Sequence, residues 1–197
     1  MIHRVLLVAA AMGVSFPVLM AAHAAVAQPL SDAWEVIGTV EGLLDETAVT
    51  MVSARRIDTG EATVMRKITS DGQVISIGAM TVGQGGEPGL PILTLKLGPF
   101  TGDAPETVAI DLRDAERVLM ANEHSETDAV LTDISLLADG TLSFGFEAEL
   151  VVMAPSADGG YTPLAGAVGQ MITGRFDGQL PPVEVPAEVP AGAVPAE

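Results

Sequence analysis

No cysteine occurs in the 197 residues, and that absence removes several chemistries together. A disulfide framework, a Cys-ligated zinc or iron–sulfur site, a thiol nucleophile and a lipidated N-terminal cysteine all require it. Positive charge is scarce: 9 Lys+Arg stand against 26 Asp+Glu, a formal net charge of -17. Phosphate backbones are bound by Lys and Arg, so a general nucleic-acid binder is excluded. An anionic membrane surface would likewise repel the chain. Aromatic residues make up 4% of it. That is too few for the paired girdles of an outer-membrane barrel, and it leaves few flat platforms for a sugar.

The N-terminus is patterned as an address. Met1–Arg4 is basic, Val5–Ala22 is an apolar run broken by Pro17, and Ala25-Val26-Ala27 is a small-x-small cleavage site. These mark residues 1–27 as a secretory signal peptide, which implies a periplasmic or extracellular protein. Cleavage there leaves 170 residues with a net charge of −18 and His124 as the sole histidine. One histidine cannot make a two-His metal site, and any histidine-based triad must use it. The C-terminal stretch 180–197 repeats Val-Pro-Ala with interspersed Glu. Proline at that frequency forbids a helix interior or a central strand, so this stretch reads as a disordered tail. One domain over residues 28–179 remains, long enough to hold together without disulfides.

Within it the apolar residues alternate. Leu142, Phe144, Phe146, Ala148, Leu150 and Val152 share one face of a segment whose other face carries Glu147 and Glu149. Period two marks a half-buried strand. Leu93, Leu95 and Leu97 repeat the pattern, as do Val108, Ile110 and Leu112, and Ile172, Gly174 and Phe176. Trp34, Val36, Gly38 and Val40 are read as one face of a first strand. Asp71-Gly72 and Asp139-Gly140 supply the positive φ of tight hairpin turns, and Thr59-Gly60 reverses the chain before Ala62. About nine short strands at this spacing predict an all-β antiparallel sandwich. Asp114–Ala121 alone has helical composition, with Asp114 as its cap, so at most one short helix is expected there.

No segment carries a catalytic motif. There is no Gly-x-Ser-x-Gly elbow, and the Gly-rich run Gly83–Gly89 lacks the Lys-Ser/Thr of a phosphate loop. His124 lies in the acidic segment Asn122–Asp128, whose Asn122, Glu123, Glu126 and Asp128 are the candidate Ca²⁺ ligands by oxygen chemistry. That segment does not match the twelve-residue Ca²⁺ loop. The basic pairs Arg55-Arg56 and Arg66-Lys67 are candidate anion or partner contacts. Pairing of their strands would bring the two together as a small basic island. The composition thus points to an exported, non-enzymatic binding, adhesion or structural module. It would have no cofactor, no nucleic-acid partner and no membrane insertion once the signal is removed. A Ca²⁺-dependent module and a carboxylate-based hydrolase are the alternatives. The hydrolase requires a facing pair of acids, at least one of them partly buried.

Overall fold

The structure, a computed structural model, describes residues 29–102 and 104–183. The signal-peptide assignment, to residues 1–27, lies outside them, as does the part of the 180–197 tail assignment beyond residue 183; of the described part, Leu180 is buried in the core and its amide donates to Gly140 O at 2.9 Å. Twelve strands and no helix are present among the described residues. In chain order they are β1 (Trp34–Leu44), β2 (Thr47–Arg56), β3 (Val64–Thr69), β4 (Gly72–Val82), β5 (Pro88–Thr101) and β6 (Ala104–Pro105). They continue as β7 (Val108–Arg113), β8 (Val118–Ala121), β9 (Ala129–Leu136), β10 (Thr141–Pro155), β11 (Tyr161–Pro163) and β12 (Gln170–Gln179).

Every pairing is antiparallel, but the architecture is a closed barrel and not the expected sandwich. The ring runs β4-β2-β1-β12-β10-β8-β7-β5 and returns to β4, using eight strands. The other four, β3, β6, β9 and β11, flank it. A sandwich leaves each sheet with two edges, whereas here every strand of the ring has a partner on both sides. The interior is filled by the alternating apolar face. Ile75, Ile77, Leu93, Leu95, Ile110, Leu119, Leu142, Phe144, Leu150, Ile172 and Phe176 are all fully buried. An eight-stranded barrel is just wide enough for side chains to fill it.

Glycine makes the curvature possible where β1 meets β12. Gly38 pairs with Gly178 and Gly42 with Gly174, on either side of the Val40–Phe176 pair. These glycines face inward, beneath two phenylalanine rings. A Cβ at Gly38 would lie 2.8 Å from Phe176 Cε2, and one at Gly174 would lie 2.7 Å from Phe146 Cζ. Phe144 and Phe176 pack with ring centroids 5.5 Å apart. Bare backbone on one strand thus receives the bulk of the next, a device for bending a sheet tightly.

The inward faces of β5, β7, β10 and β12 are those the alternation predicts. In β1 the phase breaks. A bulge between Val36 and Gly38 inserts Ile37, so Gly38 and Val40 point inward while Val36 is exposed. The hairpins at Asp71-Gly72 and Asp139-Gly140 form as expected, joining β3 to β4 and β9 to β10. The expected helix is absent. Asp114 does cap, but what it caps is a turn: its Oδ1 accepts from the Glu116 and Arg117 amides at 2.8 and 2.7 Å. The chain then reverses, and Val118–Ala121 pairs with β7 on one side and β10 on the other. Burial of Leu119 and Ala121 in the barrel outweighs the weak helical preference of the segment. The Gly-rich run is the β4–β5 turn. Its Glu87 carboxylate accepts from Ser31 Oγ at 3.0 Å and Trp34 Nε1 at 3.1 Å, pinning the segment before β1.

Candidate functional site

Ring closure leaves two seams where neighbouring strands pair over a short length, and they are finished differently. At the first, β2 and β4 share the single pair Val52–Met80. Thr63 stitches the rest. Its amide donates to Ala54 O at 2.9 Å and its carbonyl accepts from Gly78 N at 2.7 Å. Its hydroxyl donates to Gly78 O at 2.7 Å, and the fully buried Ser53 donates to the same oxygen at 2.9 Å. This seam is closed by hydrogen bonds.

The second seam lies between β7 and β10. Short β8 bridges them only from Ile110 to Arg113 on β7 and from Val151 to Met153 on β10. Past Ala121 the chain leaves the wall as the loop Asn122–Asp128, then returns as β9 along Leu142–Ala148 of β10. β9 therefore has a strand neighbour on one edge only. Among the described residues it is not paired with β7. The space between is an outward-facing groove of about 830 Å³. Its floor is apolar, with half-buried Val108, Leu131 and Ile134, and Val130 is 57% exposed beside them. Its rim carries Glu106, Glu123, His124, Asp128 and Lys96. The Lys96 ammonium lies 3.5 Å from Asp111, so the unpaired charge at the rim is acidic.

The candidate Ca²⁺ ligands sit on the loop that borders this groove, but their oxygens do not converge. Asn122 is consumed internally: Oδ1 accepts from the His124 amide at 2.9 Å, and Nδ2 donates to Asp111 at 3.1 Å. Glu123 is exposed, and its carboxylate lies 3.7 Å from His124 Nε2. Glu126 takes a left-handed φ of 59° at the loop apex. Buried Ser125 holds the loop, donating to Asn122 O at 3.0 Å and accepting from the Asn122 amide at 2.9 Å. Among the described residues no three His, Asp or Glu side chains cluster closely enough to hold a metal.

The basic residues divide between two sides of the sheet. Arg55 pairs with Glu35 at 2.5 Å, while Arg56 pairs with Asp58 at 3.0 Å and lies 5.7 Å from the Trp34 ring. Arg55 and Arg66 do meet, in a depression of about 500 Å³ that also includes Pro181 and Pro182. Arg66 and Lys67 line an adjoining one of about 270 Å³. Arg66 Nε donates to Gln73 at 2.8 Å, so two of the four cations are neutralised by acids and a third is bound by an amide.

No family model, curated protein or solved structure matches this chain.

The carboxylates with shifted acidity are all turn caps. Asp114 is held below its ordinary value chiefly by the Glu116 amide, with desolvation opposing and the Arg117 guanidinium and amide adding to the lowering. Asp139 is lowered by the Thr141 amide, and Asp158 by the Ser156 hydroxyl and the Gly160 amide. Glu147 and Glu149 stand exposed on the outer face of β10. The two buried polar residues among those described are Ser53 and Ser125, neither of them an acid. Sequence reasoning found the Asn122–Asp128 loop but missed the groove it borders. Val130 and Leu131 looked like ordinary strand residues, and only the departure of the chain after Ala121 leaves them beside an empty edge.

Proposed function

We propose that this chain is an exported, non-enzymatic binding protein whose ligand sits outside the barrel, in the groove between β7 and β9. One observation carries the reading: of two seams left by ring closure, one is stitched by Thr63 and Ser53, while the other opens over an apolar floor. The packed interior supports an external site, because Phe144, Phe176 and the leucines of β5 occupy the volume a ligand would need. Outward-facing charges such as Lys96, Asp111, Glu147, Glu149, Arg175 and Asp177 suit a barrel in water, the reverse of a wall that meets lipid. The N-terminal pattern of residues 1–27 supports export.

Hydrogen exchange tests this directly. The protein is measured alone and after equilibration with the extracytoplasmic extract of its host. The expected result is slowed exchange over residues 105–109 and 122–134, with β3 and β11 unchanged. Unaltered exchange in the groove, or protection confined to other strands, refutes the assignment.

A further inference from the structure

We propose that the chain's own C-terminal residues, from Val183 onward, dock along the open side of β3 as an added edge strand. The inference concerns a different face from the β7–β9 groove and stands apart from the function proposed for it.

The hydrogen-bond ladder supplies the first argument. β3 lies at the end of the strand order, with β4 as its strand neighbour. Gly78 N donates to Thr63 O at 2.7 Å, which sets the phase of the pairing. Bonded residues alternate from there, so Met65, Lys67 and Thr69 face β4, opposite Ser76, Val74 and Gly72. Val64, Arg66 and Ile68 turn their N–H and C=O to the other side, and an unpaired edge is a template for strand addition. Beside β3 lies a depression of about 270 Å³, lined by β3, the turn at residues 60–62, Pro181 and Pro182. The end of β12 leads the chain to it. Leu180 is buried and hydrogen-bonded to Gly140, and the two prolines that follow border the same depression as Arg66 and Lys67. Residues tethered at that point reach the edge at a high effective concentration, which favours them over a segment of another protein.

The order of residues in the tail supplies the second argument. From Val183 to Ala191 the odd positions read Val, Val, Ala, Val, Ala, and the even ones Glu, Pro, Glu, Pro. Residues of one parity in a strand share an edge as well as a face. Pro186 and Pro190 therefore lack a donor on one edge only, and every odd residue keeps its N–H for the other. Proline is tolerated in a sheet on those terms, with the missing donor on the outer side of an edge strand. Its frequency excludes a central strand but leaves the outermost place open. Side chains agree with this placement. Met65 and Lys67 share one face of β3, Arg66 and Ile68 the other, and Met65 and Ile68 are 49% and 48% exposed. Lys67 forms no ion pair among the described residues, and Arg66 is bound by the neutral amide of Gln73. Each face thus offers one cation and one half-exposed apolar side chain. Whichever way the added strand runs, its valine row meets an apolar residue and its Glu184–Glu188 row meets a cation.

Hydrogen exchange of the full chain, compared with a variant ending at Val183, is the test. Loss of residues 184–197 should speed exchange over residues 64–68 by at least about tenfold, the effect of one or two hydrogen bonds. β7, β11 and the groove should not respond. Two neighbouring substitutions in the full chain then read the edge. Ala187→Pro removes a donor aimed at β3 and should speed exchange there about as much as truncation does. Glu188→Pro places its proline on the outer edge and should keep most of the protection. Glu184→Lys/Glu188→Lys should weaken the protection, and in the native chain it should fall as salt rises. Equal exchange with and without the tail would overturn docking, and equal effects of the two prolines would overturn strand pairing. Protection that grows with protein concentration would give the edge to the tail of a second copy and overturn the intramolecular contact.

Discussion

The fit of Phe176 against Gly38 can be tested by a double-mutant cycle. Gly38 has no positive φ, so its backbone accepts alanine and the added methyl is judged by space alone. That methyl would sit 2.8 and 2.9 Å from Phe176 Cε2 and Cζ, and 3.3 Å from Gly178 Cα. Overpacking of this kind costs about 1–3 kcal/mol, against which alanine returns about 0.4–1 kcal/mol by restricting the unfolded chain. Gly38→Ala should therefore destabilise by about 1–2 kcal/mol. Phe176→Leu removes the ring edge from a fully buried site and should cost about 1–2 kcal/mol through lost contact and a small cavity. In the leucine background the two clashing atoms no longer exist, so adding Gly38→Ala should cost almost nothing further. The coupling energy is then about 1–2 kcal/mol in favour of the double variant. Urea unfolding followed by Trp34 fluorescence supplies the assay, with midpoints compared at constant slope. Gly89→Ala is the control, since that glycine has open space around its Cβ position and no positive φ. Additive effects, within about 0.5 kcal/mol, would refute the idea that the glycine exists to seat the ring.

Two further predictions concern the seam and the turns. Thr63→Val keeps the shape but removes the hydroxyl that serves both Ala54 N and Gly78 O, and should cost about 1–2 kcal/mol. Thr63→Ser should recover most of that loss in urea titrations, and a valine variant as stable as the native chain would contradict the stitched seam. Asp114, Asp139 and Asp158 have pKa values depressed in the folded state. Their stabilisation is therefore complete above the unfolded value of about 4 and is lost as pH falls through the lower folded values. A triple Asp→Asn variant should be less stable than the native chain at neutral pH and should converge with it in acid. A gap that stays constant from pH 7 to pH 2.5 would refute the sign.

Much of the barrel's inner surface was legible from alternation, because a side chain's face in a strand depends only on its parity. Leu142 through Val152 therefore face inward as read, as do Leu93 to Leu97. Parity failed at Trp34 and Val36, where one inserted residue, Ile37, reverses it. It also failed for Val118–Ala121, whose four residues are too few to show a period and whose preceding Asp114 caps a turn as readily as a helix. The basic island was half legible. The Arg55–Ala62 bridge brings Arg55 near Arg66, but Glu35 and Asp58 neutralise the first pair, and neither partner is adjacent in sequence to the arginine it binds.

What the sequence by itself determined is local: an antiparallel all-β chain, the hairpins at Asp71-Gly72 and Asp139-Gly140, most inward faces, and an acidic surface. Alternation is satisfied equally by a sandwich and a barrel, so it could not choose between them. The choice was made by pairings that skip along the chain: β1 with β12, β2 with β4 past β3, and β8 with β10 past β9. Those contacts join residues as far apart as Gly38 and Gly178, where no local preference acts. The groove exists for the same reason. It is a gap between strands that sequence places near one another but that only the closed ring holds apart.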